Sequence, residues 1–344
     1  MAVNTGQLSA EGLTQHSVVT SCGSFIHCHF RPPVPLASQA SPRPVLVLLH
    51  GYPQTSFMWR HLIEILPSDI PLFMPDLPGY GRSTPSRTGH DKRTVGLAVL
   101  EALDTLLGQG SGPRLPHPIV LGGHDRGARV CHRLAVDFSN LKLSLDPRLA
   151  NLVSQKFSLE GTLLFDILPT VEQWHSFAKP TTAAGSYHWS FLANMPLAFD
   201  MIKAYGPAKY CKDLIARWQG ESPAGLHSDD AVAVYTAAFE NDDVVRATCE
   251  DYVAGAGVDV EEQEKDQEAG RKMDGNVLVV YSERFLGKGG KVDVEGIWSD
   301  WVKEGTHLAV EPIKGHAGHF IAEEAPAEVA EIMMRVLGSC LSKI

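Results

Sequence analysis

The chain has 344 residues, 44% of them apolar, and a formal charge of -10. Its length exceeds the roughly 250 to 300 residues at which a single core stops growing, so one large domain with a smaller companion is expected. The acidic balance without a basic cluster argues against nucleic acid and anionic membrane as partners, and six scattered cysteines form neither a zinc spacing nor a disulfide framework.

Residues 1 to 15 read as a frayed end, after which His16 to Thr20 and Ser24 to Phe30 alternate about Ser21-Cys22-Gly23 as a β-hairpin. Pro32 to Pro44 is a proline-rich connector. Val45 to Leu49 is an unbroken apolar run, the pattern of a parallel strand buried on both faces, and it enters His50-Gly-Tyr-Pro53. A helix is expected from about Met58 to Leu66, a short strand around Leu72 to Met74, and then the turn-rich Asp76-Leu-Pro-Gly-Tyr-Gly-Arg-Ser83. Val95, Val99, Leu103 and Leu106 share one helical stripe between Asp91 and Leu107, and Gly108 to Pro118 reads as a loop. Pro118 to Leu121 is a buried strand and Ala128 to Phe138 a helix. Ser139 to Lys156 is polar and irregular, and Leu159 to Leu164 is a further strand ending near Asp166.

From about Pro169 to Asp266 aromatic residues sit among helix-length segments with no clear strand, closing in the acidic run Asp259 to Glu268. This reads as a helical insertion. The sheet resumes at Val277 to Tyr281, passes a Gly/Lys-rich loop at Gly287 to Lys291, and continues at His307 to Ile313 before a last helix from about Ala325 to Leu337. Alternating strands and helices predict an α/β class with a mostly parallel central sheet flanked by helices. The expected boundaries are 1–168 for the first part of the core, 169–266 for a helical cap, and 267–344 for the rest of the core.

The chemistry is concentrated between Leu121 and Val130. Gly123-His-Asp-Arg-Gly127 fits a Gly-x-nucleophile-x-Gly elbow with Asp125 where serine would be expected. A carboxylate is anionic at neutral pH and can displace a leaving group from saturated carbon, so Asp125 points to alkyl transfer. The aspartyl ester then needs a general base to activate water and an oxyanion hole for the tetrahedral intermediate. The plainer alternative is that Asp125 only caps the following helix.

His50-Gly-Tyr-Pro53, Asp76-Leu-Pro-Gly-Tyr-Gly81, Gly123-His-Asp-Arg-Gly-Ala-Arg129 and Gly318-His-Phe320, in this order, resemble α/β-hydrolases of the epoxide hydrolase and dehalogenase branch. Asp166-Ile-Leu-Pro-Thr170, Tyr187-His-Trp-Ser-Phe-Leu192 and Cys249-Glu-Asp-Tyr252 resemble the fluoroacetate (haloacetate) dehalogenases more narrowly. The resemblance implies the α/β-hydrolase fold with an inserted helical cap, a homodimer, and no metal or organic cofactor.

It makes His319 the general base, with His316 as the rival, and Asp166 the acid that orients it, with Glu283 as the position epoxide hydrolases would favour. The backbone N–H groups of Arg126 and Tyr52 are the expected oxyanion hole. Arg126 and Arg129 lie three apart on one helix, so both guanidinium groups are expected to grip a substrate carboxylate, unless Arg129 is a solvated helix residue. His188, Trp189 and Tyr252 match the dehalogenase halide site residue by residue, against the plainer reading that these aromatics pack the core. Trp218 is a candidate for the pocket wall. Tyr52 stands where the dehalogenases usually have phenylalanine, and the chain is longer than theirs around 111–116, 138–156 and 283–296.

The expectation is therefore a hydrolytic dehalogenase that turns a haloacetate into glycolate and halide, with a small anionic molecule as its partner. An epoxide hydrolase using the same Asp-His-Asp set is the first alternative. A non-enzymatic receptor on the same fold is the second. With no long uncharged apolar run and no basic-then-apolar opening, a cytoplasmic location is expected.

Overall fold

Eight strands form one sheet in the order β1-β2-β4-β3-β5-β6-β7-β8. The structure, a computed structural model, describes residues 6–33, 43–108, 116–141, 145–221 and 223–341. Most of the Pro32 to Pro44 connector and of the Gly108 to Pro118 loop lies outside the described residues, as does most of the longer stretch at 111–116.

The hairpin forms as expected from β1 (Thr14–Val19) and β2 (Phe25–Arg31), and β2 pairs antiparallel with β4 (Leu72–Pro75). All other pairings are parallel, through β3 (Val45–Leu49), β5 (His117–His124), β6 (Phe157–Phe165), β7 (Asn276–Ser282) and β8 (His307–Ile313). All five residues of β3 are buried, as a strand covered by helices on both faces requires.

The expected helix at Met58 to Leu66 divides into a 3-10 turn, Ser56–Trp59, and α1 (Arg60–Ile65), because the Thr55 hydroxyl accepts the Phe57 N–H and starts the turn early. Helix α2 (Lys92–Leu107) is capped by Asp91, and α3 (Arg126–Ser139) follows β5. The stretch read as irregular from 139 to 156 contains α4 (Pro147–Asn151) and a π turn over Leu152–Lys156. Its signal was present: Asp146 accepts the Arg148 N–H ahead of a proline in the first turn.

Between β6 and β7 the chain forms α5 (Thr170–Ser176), α6 (Pro180–Gly185), α7 (His188–Leu192), α8 (Leu197–Tyr205), α9 (Pro207–Trp218), α10 (Ala224–His227), α11 (Ala231–Phe239), α12 (Asp242–Ala256) and α13 (Val258–Glu268), with no strand among the described residues. Buried charge ties this insertion to the core. Arg133 pairs with Asp266, Arg93 meets Glu262 at 2.8 Å, and Lys92 pairs with Asp251 and reaches Asp259 at 3.2 Å. The acidic run is thus partly an internal seam. After α14 (Val294–Ser299) and β8, the chain ends in α15 (Ile321–Glu324) and α16 (Pro326–Leu341). No helix among the described residues is long and apolar enough to cross a membrane.

Candidate active site

Strand β5 ends at His124 and α3 begins at Arg126, leaving Asp125 alone in the bend at φ 46° and ψ -114°. Such a conformation costs a non-glycine residue on the order of 1–3 kcal/mol and persists only where its surroundings dictate it. Here they do. A Cβ on Gly123 would lie 2.5 Å from the carbonyl carbon of Gly127, and one on Gly127 would lie 2.4 Å from the Leu49 oxygen. Only glycine lets strand and helix close on the bend.

The Asp125 side chain makes no capping hydrogen bond to α3, which removes the support for the plainer reading. Its Oδ2 accepts the N–H of Tyr52 at 3.1 Å instead. The expected oxyanion donors thus flank the carboxylate, one donated to it and the other, at Arg126, opening α3.

His319 lies on the loop between β8 and α15, with its Nδ1 2.6 Å from Asp166 Oδ2. Asp166 directly follows β6 with φ 55°, and its other oxygen accepts the Ser282 N–H at 2.8 Å. Burial works against a charged imidazole, but the Asp166 hydrogen bond and the charges of Asp166 and Asp125 prevail, raising the His319 pKa above its usual 6.5. Burial likewise opposes the Asp125 anion, yet His319, Arg129 and Arg126 outweigh it and lower its pKa below 3.8.

The rival His316 is half-buried, off the cavity wall, and engaged through its carbonyl, which accepts the Glu221 N–H at 2.9 Å. Glu283 has its N–H on Ile313 and its carbonyl on Gly289, and it makes no hydrogen bond to His319.

The base loop is clasped to the insertion. His319 N–H donates to the Trp218 carbonyl, while Glu324 Oε2 accepts the N–H groups of Gly220 and Gly318 at 2.7 and 2.9 Å and its Oε1 accepts that of Phe320 at 3.2 Å. A Cβ on Gly220 would stand 2.0 Å from the His316 oxygen, so the approach requires glycine. Sequence reading gave Glu324 no role, although Glu323-Glu324, four and five residues past His319, was the available signal.

The two arginines part company. Arg129 lines the same cavity as Asp125, its Nη1 donating to the Leu168 carbonyl and the Thr170 hydroxyl at 3.0 and 3.1 Å, while Nε finds no partner among the described residues. Its guanidinium stacks 4.5 Å from the Trp189 ring centre, and burial lowers its pKa to about 10. It is not a solvated helix residue.

Arg126 corrects the expected pair. Its guanidinium turns to Asp251, donating to both carboxylate oxygens and the backbone carbonyl, each at 2.8 Å, and it is absent from the cavity wall. The cause is the cost of leaving Asp251 uncompensated in the interior, where Tyr80 and Lys92 also serve it. The same helix face therefore delivers one guanidinium to the cavity wall.

The cavity, of about 340 Å³, also brings together Asp166, His188, Trp189, Trp218 and His319. His188 packs on Trp218 at 4.5 Å, and Trp218 faces His319 at 5.9 Å between ring centres. Burial lowers the His188 pKa to about 3, keeping its imidazole neutral, and neither its Nδ1 nor the Trp218 Nε1 has a partner among the described residues. Tyr252 sits behind this wall, its ring 5.8 Å from His188, 5.7 Å from Trp189 and over the Arg126 guanidinium at 4.2 Å. The Tyr52 side chain is fully buried against Trp218, Phe239 and Tyr252, so it does not shape the cavity mouth directly. No group of three or more metal-ligating side chains is gathered among the described residues.

Comparison with known proteins bears on the family and the fold. The profile of the alpha/beta hydrolase family matches residues 46–332. A fluoroacetate dehalogenase from Burkholderia sp is 25% identical over 310 residues, covering 88% of this chain and 89% of its own. A soluble epoxide hydrolase from Corynebacterium sp. (strain C12) is also 25% identical, over 84% of this chain and 88% of its own. Among solved structures, a proposed α/β hydrolase from Nostoc sp PCC 7120 superposes with TM-score 0.74 at 30% identity, covering 94% of this chain and 98% of that one. A proposed epoxide hydrolase from Pseudomonas aeruginosa does so with TM-score 0.73 at 26% identity, covering 96% and 97%.

Proposed function

The chain belongs to the α/β hydrolase family, and from that premise we propose that it is a hydrolytic dehalogenase of 2-halo acids such as chloro- or fluoroacetate. The observation that carries the proposal is the Arg129 guanidinium on the same cavity wall as the Asp125 carboxylate, a cation placed to hold a substrate carboxylate beside the nucleophile. Asp125 attacks the carbon bearing the halogen, and the carbon–halogen bond breaks as the ester bond forms. His188 and Trp189, with Tyr252 behind them, supply N–H and O–H donors for the departing halide.

His319 then takes a proton from water through Nε2 while Asp166 holds Nδ1, and the hydroxide attacks the ester carbonyl carbon. The N–H groups of Tyr52 and Arg126 receive the negative oxygen. Collapse restores the Asp125 carboxylate and releases the hydroxy acid, so one water and one carbon–halogen bond yield one alcohol, one halide and one proton.

Hydrolysis of an epoxide through the same ester is the second reading. Its support is the pairing of Arg126 with Asp251, which leaves one guanidinium for an anionic substrate, and the presence of Tyr252 as a hydroxyl donor. Halide release from chloro- and fluoroacetate, measured beside diol formation from styrene oxide, separates the two. Asp125→Asn is expected to abolish either activity, and in heavy-oxygen water a single turnover places the label in Asp125 rather than in the product. Label appearing in the product alone would overturn the ester mechanism, and turnover of either substrate eliminates the receptor alternative.

A further inference from the structure

The cavity extends well past the reacting groups. Its volume of about 340 Å³ falls in the range of sites for drug-sized ligands, far more than a two-carbon acid fills. The outer wall comes from two places: helices α5 and α6 of the insertion, and the 283–296 stretch in which the chain is longer than the dehalogenases it resembles. These bring Lys179, Lys288 and Lys291 to one rim. Among the described residues none of the three ammonium groups forms an ion pair. Two carboxylates line the same outer wall, Glu172 at 3.8 Å from His175 and Asp293 accepting the Gly296 N–H at 2.9 Å.

Lys288 is the most constrained of the three. It holds φ 49° between Gly287 and Gly289, an uncommon conformation for a long side chain. Its ammonium lies 4.9 Å from the Phe285 ring centre, and that ring stacks 4.9 Å from His319. The loop therefore carries a cation to the same cavity that Arg129 lines, on the Phe285 and His319 side.

Resting on the dehalogenase reading, we infer that the preferred substrate is a 2-halo dicarboxylate, whose first carboxylate meets Arg129 and whose second, at the far end of a short carbon chain, meets the lysine rim through Lys288. The chemistry at Asp125 is unchanged: one carbon–halogen bond is exchanged for one carbon–oxygen bond, and the remote carboxylate serves only in binding. An exposed rim is screened beyond about 8 Å at physiological salt, so its contribution should weaken as salt is raised.

Halide release is measured from 2-chlorobutyrate and from 2-chlorosuccinate, 2-chloroglutarate and 2-chloroadipate, for the wild type and for Lys288→Asn. Asparagine removes the charge yet tolerates positive φ. At least one diacid is expected to exceed the monoacid about tenfold in kcat/KM, and Lys288→Asn to erase most of that ratio through KM, with Lys288→Arg restoring part of it.

Binding of non-halogenated glutarate against butyrate to Asp125→Asn, followed by calorimetry, is read separately. Lysine-dependent glutarate binding without halide release from any acid would uphold the rim and overturn the dehalogenase reading. Equal kcat/KM for monoacid and diacids, or a ratio untouched by Lys288→Asn, would overturn the inference while leaving that reading in place.

Discussion

The two halves of the site are built differently. On the sheet side, Asp125 and Asp166 sit at strand ends with positive φ, and the hydrogen bonds from Tyr52, Ser282 and His319 fix both carboxylates. On the insertion side the wall is aromatic, held by ring packing among His188, Trp189, Trp218 and Tyr252, and two of its polar atoms have no partner among the described residues. A fixed carboxylate and base suit formation of an ester and its hydrolysis. Those two atoms of the wall are buried and make no hydrogen bond among the described residues. The contrast teaches that the hydrogen-bonded reacting groups belong to the sheet, while the insertion contributes a wall held by ring packing.

The sharpest way to break the comparison is His319→Gln. If the sheet side alone runs the chemistry, ester formation at Asp125 persists while its hydrolysis slows by about 10²- to 10⁴-fold, the span expected for loss of a general base. Intact-mass measurement should then show an alkylated enzyme accumulating at Asp125 with a halo acid. Rapid turnover by this variant would move the base elsewhere.

Asp251→Asn tests the seam between the halves. Removing one partner of a buried pair is expected to cost about 3–5 kcal/mol, because Arg126 and Lys92 keep their charge in the interior. Urea denaturation reads the loss; a change under about 1 kcal/mol would mean that Arg126 finds another partner.

The smallest effect is expected at Glu324, a positioning residue whose carboxylate holds the loop on both sides of His319. Glu324→Gln should lower kcat about tenfold, in line with loss of orientation. It should also shift the pH profile, which a purely structural role would not do. His319 must be neutral to accept a proton, so activity rises with pH through its pKa. With that pKa raised, the acid limb of kcat lies above pH 6.5. Glu324 is among the charges that raise it, so the glutamine variant should move the limb to lower pH. Asp125, lowered below 3.8, contributes no limb in that range.

The amino-acid sequence by itself determined the strands and the elbow at Asp125, because both are local, whereas the base and acid followed from the family resemblance. Apolar runs such as Val45 to Leu49 have one stable placement in a covered parallel sheet, and the glycines about Asp125 permit one bend. The helix-only texture of 169–266 was legible for the same reason, and Asp146-Pro147 shows that a local signal can also be passed over. What only the tertiary structure decided are choices between distant partners. Spacing on α3 put Arg126 and Arg129 on one face, but a carboxylate 125 residues later took Arg126 from the cavity. Likewise, Lys288 reached the rim and Glu324 clasped Gly220 through chain crossings that no periodicity encodes. Burial makes an unpaired charge too costly to leave alone, and which group answers it depends on where the whole chain has folded.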